Sequence, residues 1–344
     1  MVKSPKILFI CKQRLGHYGQ AYGLVNSAKS TSIHLKSIGI ESKVVTVIDN
    51  NGIDREVHEY SPTHVIILAL WVVPKKIQVL VNKYPEIKWF VSIHSKTPFL
   101  AGEGIAFQWL CEYKKIHLSC KNFWVAANNT QIKKDIEKVY GMRVCFLPNM
   151  YTPPTIKPPL RICNKLRPKS EIHIGSFGAI RPLKNTLMQA IASIRFADQN
   201  NYKLVFHING DRTEQHGDNI VKNIVNLFAC MESHKLVMHP WASHGDFVNK
   251  IIPQMNLGLQ TSLSESFNIV AADFTFAGVP IVGSNEIQWL PRIFKPVPTD
   301  TNAILKSMYM ALILGKFGVW VNKMHLKWHN KKSLKKWMKL IYKG

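Results

Sequence analysis

The stretch NLGLQTSLSESFNIVAADFTFAGVPIVGS, residues 256–284, decides how this chain folds. It opens with an apolar run, NLGLQTS, that ends in small polar residues, and it closes with FTFAGVPIVGS, a helix end, a glycine and a β-branched run. Between them SESFNIVAAD, residues 264–273, sets Glu265 in a Ser-flanked turn and Asp273 on the helix that follows, with seven residues between the two carboxylates. The order is strand, loop, helix, strand. It places the loop and the helix start at the carboxyl end of a strand, where open α/β sheets bind their ligands. A carboxylate near a helix N-terminus is either a cap or dipole partner, worth up to ~1 kcal/mol, or a ligand-binding group. The stretch alone leaves both readings open.

The same scheme runs through the chain. KILFICK, SKVVTVID, HVIILALWV, KWFVSIHS, NFWVAA and VCFLPN are short apolar runs, separated by helical stretches such as LVNSAKSTSIHLKSIG and NTQIKKDIEKVYG. Further on, EIHIGSFG, KLVFHING, KLVMHPW, NLGLQTS and VPIVGS alternate with NTLMQAIASIRFADQ, DNIVKNIVNLFACME and HGDFVNKIIPQM. Between the two halves YTPPTIKPPLRICNKLRPKS, residues 151–170, carries five prolines and no periodic pattern, which reads as a linker. The expected fold class is α/β, with two Rossmann-like parallel-sheet domains facing each other across a hinge. The boundaries are 1–151, a linker over 152–170, a second domain over 171–300, and basic C-terminal helices over 301–344.

Composition narrows the function classes. The chain has 344 residues, 46% of them hydrophobic, enough for a core in each domain. The start, MVKSPKILFICKQRLG, reads as a first strand rather than a signal peptide, and the longest apolar run, VIILALWVV, has the length of a buried strand. Six scattered cysteines form no C-x-x-C pair, so a reduced, cytoplasmic protein without a zinc site is expected. The sequon Asn128-Asn129-Thr130 then has no glycosylation to serve.

Charge points the other way, toward a partner. Forty-five Lys and Arg against 21 Asp and Glu give a formal +24. Such a field favours a polyanion, either nucleic acid or an anionic membrane surface. The last 44 residues hold ten lysines, no Asp or Glu, and Trp320, Trp328 and Trp337. Read as a helix, Leu334, Trp337, Met338 and Ile341 share one face, and Lys332, Lys335, Lys336, Lys339 and Lys343 share another. Such a helix can pack its apolar face on the body and show lysines to solvent, lie on a membrane, or follow a phosphate backbone, with packing the default. Lys332, Lys335, Lys336 and Lys339 are the candidate nucleic-acid contacts.

In EIHIGSFGAIRPLKNTLMQAI a strand meets a glycine-containing loop bearing Arg181 and Lys184 just before a helix. Guanidinium, ammonium and backbone amides gathered there suit a diphosphate. The acidic loop of residues 264–268 follows at an equivalent strand-to-helix position. Together the two could hold both ends of a nucleotide-sugar.

On these residues the second half resembles the donor-binding domain of retaining glycosyltransferases of the GT-B fold, specifically the family four group. FGAIRPLKN is similar to the segment that opens that family's C-terminal domain, which implies Arg181 and Lys184 as diphosphate ligands. TSLSESFNIVAADFTFAGVPIV is similar to its acidic motif, which implies Glu265 at the sugar hydroxyls and Asp273 at the ribose. Two departures stand out: Asp273 replaces the usual Glu, and Asn268 replaces a Gly that brings backbone to the phosphates. Asn268 can cap the helix while its backbone amide still faces the diphosphate. In the first domain, RLGHYGQAYGL offers Gly16 and Gly19 to the family's glycine loop. His94, at the end of WFVSIHSKTP, matches a position whose imidazole touches the transferred sugar, although a lone His after a strand is more often structural. The resemblance implies a nucleotide-diphosphate sugar as donor, with UDP-sugar the expected one, no obligatory metal, and a retaining front-face transfer. The expected acceptor is a hydroxymethylated pyrimidine in DNA, as for phage-type DNA glycosyltransferases that act in host cytoplasm. The alternative is a lipid or glycan acceptor at an anionic membrane.

Overall fold

A computed structural model describes residues 4–13, 23–154 and 170–343. The Pro-rich linker expected over 152–170 lies largely outside the described residues, as do Gly16 and Gly19. The chain forms two compact units, residues 1–152 with 329–344, and residues 153–328. The C-terminal end thus belongs to the first unit.

In the first unit the strands are β1 (Lys6–Lys12), β2 (Glu41–Val47), β3 (His64–Leu68), β4 (Lys88–Ile93), β5 (Phe123–Ala127) and β6 (Cys145–Phe146). Its helices are α1 (Gly23–Lys36), α2 (Gly52–Tyr60), α3 (Pro74–Lys83), α4 (Thr97–Leu100), α5 (Ala106–Ser119) and α6 (Thr130–Tyr140). The sheet is parallel in the order β2-β1-β3-β4-β5-β6. Alternation along each strand sends side chains to opposite faces. Leu8, Ile10, Val65 and Ile67 join one core layer, while Ile7, Phe9, Ile66 and Leu68 join the other. Both faces are covered, as a parallel sheet requires.

Two expectations need correction. The strand read over HVIILALWV stops at Leu68, because Ala69 takes a left-handed φ of 69° and its N–H turns to the Ser92 carbonyl at 2.8 Å. The helix read over HGDFVNKIIPQM is broken into a short α-turn, a π-turn over Phe247–Ile251 and a 3₁₀ turn over Ile252–Gln254. Pro253, with no N–H to donate, accounts for the break.

The second unit holds β7 (Glu171–Ser176), α7 (Thr186–Gln199), β8 (Lys203–Asn209), α8 (Gly217–Ala229), β9 (Lys235–His239), α9 (His244–Asp246), β10 (Leu257–Gln260), α10 (Ile269–Ala277) and β11 (Ile281–Gly283). All strands are parallel, in the order β11-β10-β7-β8-β9. The strand order reverses between β7 and β10. Loops leaving the carboxyl ends of those two strands part at a topological switch point, where doubly wound sheets bind ligands.

The last element, α11 (Thr301–Lys343), is helical throughout except at Gly315, whose φ of 44° and ψ of −120° mark a kink. Beyond it Trp337 and Ile341 are buried, with Leu334 packed beside them against the first unit's core. Met338, expected on that face, is exposed.

Candidate functional site

β7 gives way to a turn through Gly178, whose φ of 114° suits glycine alone, and whose N–H donates to Asn209 Oδ1 at 2.9 Å. The next residues are tied to the loop after β8, since the Ile180 N–H donates to the Arg212 carbonyl at 2.9 Å. A Cβ on Gly217 would stand 2.0 Å from the Ile180 carbonyl oxygen, so only glycine permits this approach. It brings Arg181 to Glu214. Arg181 Nη1 donates to one Glu214 oxygen at 2.8 Å and Arg212 Nη2 to the other at 2.9 Å.

A 3₁₀ turn over Pro182–Lys184 follows, and Asn185, left-handed at φ 59°, crosses toward β10. Its Nδ2 donates to the carbonyls of Thr261 at 3.1 Å and Pro298 at 2.8 Å, while the Leu263 N–H donates to the Leu183 carbonyl at 2.9 Å. The loops after β7 and β10 are therefore stitched together. At the seam Lys184 Nζ pairs with Glu265 Oε1, and Ser262 Oγ donates to the same oxygen at 3.1 Å. Burial alone would raise the Glu265 pKa, but the charges of Lys184 and Arg181 and the Lys184 and Ser262 hydrogen bonds bring it below the ordinary value. Glu265 is a mostly buried carboxylate held ionised.

Asn268 caps α10. Its Oδ1 accepts from the Ala271 N–H at 2.8 Å, and its Nδ2 donates to Gln260 Oε1 at 2.9 Å. Its φ of 62° is the conformation glycine adopts freely, and Asn is among the few residues that tolerate it. Asp273, fully buried on α10, is bonded to His244 Nε2 at 2.8 Å. Burial lowers the His244 pKa, but the hydrogen bond and charge of Asp273 outweigh it and leave the pKa raised.

The structure thus gathers Arg181, Lys184, Glu265 and Asn268 at the switch-point edge and sets Asp273 on the helix that begins there. His94 belongs to the first unit, at the end of β4. Asn128 Nδ2 lies 3.3 Å from its Nδ1, and an amide N–H can only donate, so Nδ1 accepts and Nε2 carries the proton. Burial pushes the His94 pKa down to about 4, so the ring is neutral at physiological pH. Lys332, Lys335, Lys336 and Lys339 all lie exposed on α11.

Sequence reasoning missed Glu214, which anchors Arg181, and His244, which engages Asp273. Neither had a local signal, because each meets its partner through a crossing of loops. Asn185 stood within the quoted RPLKN, and its polar side chain at a helix start was the available clue. Two buried hydroxyls at the same sheet edge, Thr261 Oγ1 and Ser284 Oγ, also lacked a signal and have no hydrogen-bond partner among the described residues.

No protein-family model and no curated sequence matches the chain. Among solved structures it is similar to a sucrose-phosphate synthase from Thermosynechococcus elongatus, with a TM-score of 0.65 at 11% identity, covering 98% of this chain and 100% of that one. It is also similar to a glycosyltransferase from Rickettsia africae, with a TM-score of 0.65 at 11% identity, covering 99% of each chain. A trehalose-6-phosphate structure from E. coli bound with UDP-2-fluoro glucose aligns with a TM-score of 0.61 at 10% identity over 96% of each chain. These likenesses span nearly the whole chain, and with the two parallel sheets and the C-terminal helix they show that it has the GT-B fold.

Proposed function

We infer that the protein is a retaining glycosyltransferase that draws on a nucleotide-diphosphate sugar, with a UDP-sugar as donor. One observation carries this reading: the mostly buried, ionised Glu265 paired with Lys184 beside Arg181, at the switch point of the second sheet. An ionised carboxylate accepts hydrogen bonds from sugar hydroxyls, while the ammonium and guanidinium meet the charge that grows on a departing diphosphate. The pair of Asp273 on α10 and His244 on α9 is assigned to the ribose, and Thr261 and Ser284 offer buried hydroxyls at the same edge. In the first unit Gly16, Gly19 and the Nε2–H of His94 are assigned to the transferred sugar.

The acceptor reading rests on charge. The +24 excess supports DNA, with a hydroxymethylated pyrimidine as the reacting base and Lys332, Lys335, Lys336 and Lys339 on its phosphates. A second reading, a lipid or glycan acceptor at an anionic membrane, is favoured by the exposed aromatic residues of α11.

Oligonucleotides containing hydroxymethylcytosine, hydroxymethyluracil or only unmodified bases, incubated with the protein and a panel of nucleotide-sugars, separate these readings by intact mass. A sugar-sized gain confined to one modified base is the expected result. Donor hydrolysis without any gain retains the transferase and moves the acceptor to lipids and glycans. Neither binding nor turnover of any nucleotide-sugar defeats the enzyme reading itself.

A further inference from the structure

Beyond the kink at Gly315, α11 has two faces of opposite fate. Val319, Asn322 and Leu326 are buried against the protein. On the other side Phe317 is 61% exposed, Trp320 56%, Met324 46% and Trp328 58%. Their spacing of three, four and four residues places these four on one stripe of the helix. The Phe317 and Trp320 rings stack on each other with centroids 5.8 Å apart. Large apolar side chains gathered in one patch mark an interaction surface, unlike scattered ones.

One flank of the stripe is basic. Lys316, Lys323 and Lys327 are all exposed, and from Thr301 to the end of the chain there is no Asp or Glu. The helix is long and apolar enough to cross a membrane by length and composition. Its opposite face is committed to protein, however, which leaves one stripe for lipid and gives the arrangement of a helix lying in an interface.

We propose that this stripe docks the protein on an anionic bilayer, with Phe317, Trp320, Met324 and Trp328 at the boundary between headgroups and acyl chains and Lys316, Lys323 and Lys327 on lipid phosphates. Tryptophan, with a polar N–H on a large apolar ring, suits that boundary. Duplex DNA supplies the phosphates but nothing to dehydrate four apolar side chains in a row. A second copy of the same face would set lysines against lysines with no acidic residue on the helix to neutralise them. The proposal gives the membrane-acceptor reading a physical surface, but docking is measured without donor or acceptor, so its failure and that of the transferase reading are distinguishable.

The test is flotation of the full chain with phosphatidylcholine vesicles, with and without phosphatidylglycerol, alongside intrinsic fluorescence. The expected result is at least tenfold tighter binding to the anionic vesicles, weakened by salt, with a blue shift and with quenching by brominated acyl chains. The triple variant Phe317→Ser, Trp320→Ser, Trp328→Ser should lose at least tenfold in binding. Its far-ultraviolet dichroism and melting curve should match those of the parent, since the altered side chains lie in solvent. Lys316→Gln, Lys323→Gln, Lys327→Gln together should erase the preference for anionic lipid. Absence of vesicle binding at low salt overturns the proposal, as does equal binding by the serine variant. Loss of self-association in that variant reassigns the stripe to a second copy, and loss of duplex binding reassigns it to nucleic acid.

Discussion

Glu265→Ala abolishes sugar transfer while leaving the affinity for a polyanion nearly unchanged. The carboxylate and Lys184 Nζ form a pair that is mostly withdrawn from water, and removing one member of such a pair strands the other. That costs roughly 3–5 kcal/mol when the partner stays charged and buried, so the alanine variant loses stability as well as chemistry. Lys184→Met has the mirror effect: it strands Glu265, whose pKa then rises because burial is opposed only by Arg181 and Ser262. The double variant Lys184→Met, Glu265→Gln separates the two consequences. With neither charge left to desolvate, its urea midpoint returns most of the way to the parent's, while transfer stays at least a hundredfold down, the scale expected when a preorganised electrostatic group is lost. Recovery of activity with stability in that double variant shows the pair to be structural and sinks the site assignment. The basic residues of α11 are untouched in every case, so salt-dependent association serves as an internal control.

Acid destabilises this protein from about pH 6.5 downward, through buried histidines. His64 is buried on β3, with burial and the neighbouring Lys88 pushing its pKa down to about 4. His207 sits between two other imidazoles on adjacent strands, His173 at 2.9 Å and His239 at 2.8 Å. Burial and both neighbours push its pKa down to about 3. A neutral His207 donates through one nitrogen and accepts through the other, and a protonated one must donate through both. In the unfolded chain these imidazoles take up protons near pH 6.5, where the folded ones do not, so acid favours the unfolded state. Their contribution is complete above about pH 6.5 and shrinks as pH falls toward 4, by on the order of 3 kcal/mol for each of the two at about pH 4. Urea midpoints taken from about pH 7.5 to 4 should fall steadily over that window, and His207→Gln should flatten the slope by about one proton. A midpoint constant down to about pH 5 contradicts the account.

What could be read in advance follows from how local each signal is. The strands of both sheets announce themselves because a buried strand needs a run of apolar residues and a parallel sheet covers both faces, as in HVIIL and KLVFHIN. Glu265, Lys184 and Arg181 were legible because each stands in a loop at a strand end. Asn268 was legible as a cap because the side chain that replaces glycine there also bonds the helix. Loop crossings were not legible. Glu214 reaches Arg181 only because Gly217 lets two backbones touch, and His244 reaches Asp273 from a separate short turn, α9, across to α10. Ala69 ends its strand by backbone conformation alone, which hydrophobic pattern does not encode.

The last turns of α11 have a bearing on biosynthesis. Trp337 packs against Phe9 with ring centroids 5.7 Å apart and the planes tilted by 58°, and it donates its Nε1–H to the Pro148 carbonyl at 2.9 Å, while Asn330 bonds both the N–H and the carbonyl of Tyr151. The strands of the first unit therefore wait for residues translated after the second unit before their own core is closed. Vectorial synthesis leaves that unit unsealed, with Phe9 short of the Trp337 ring, until the end of α11 returns to it. A nascent chain stalled before residue 329 should accordingly leave that unit open to protease while the second unit resists.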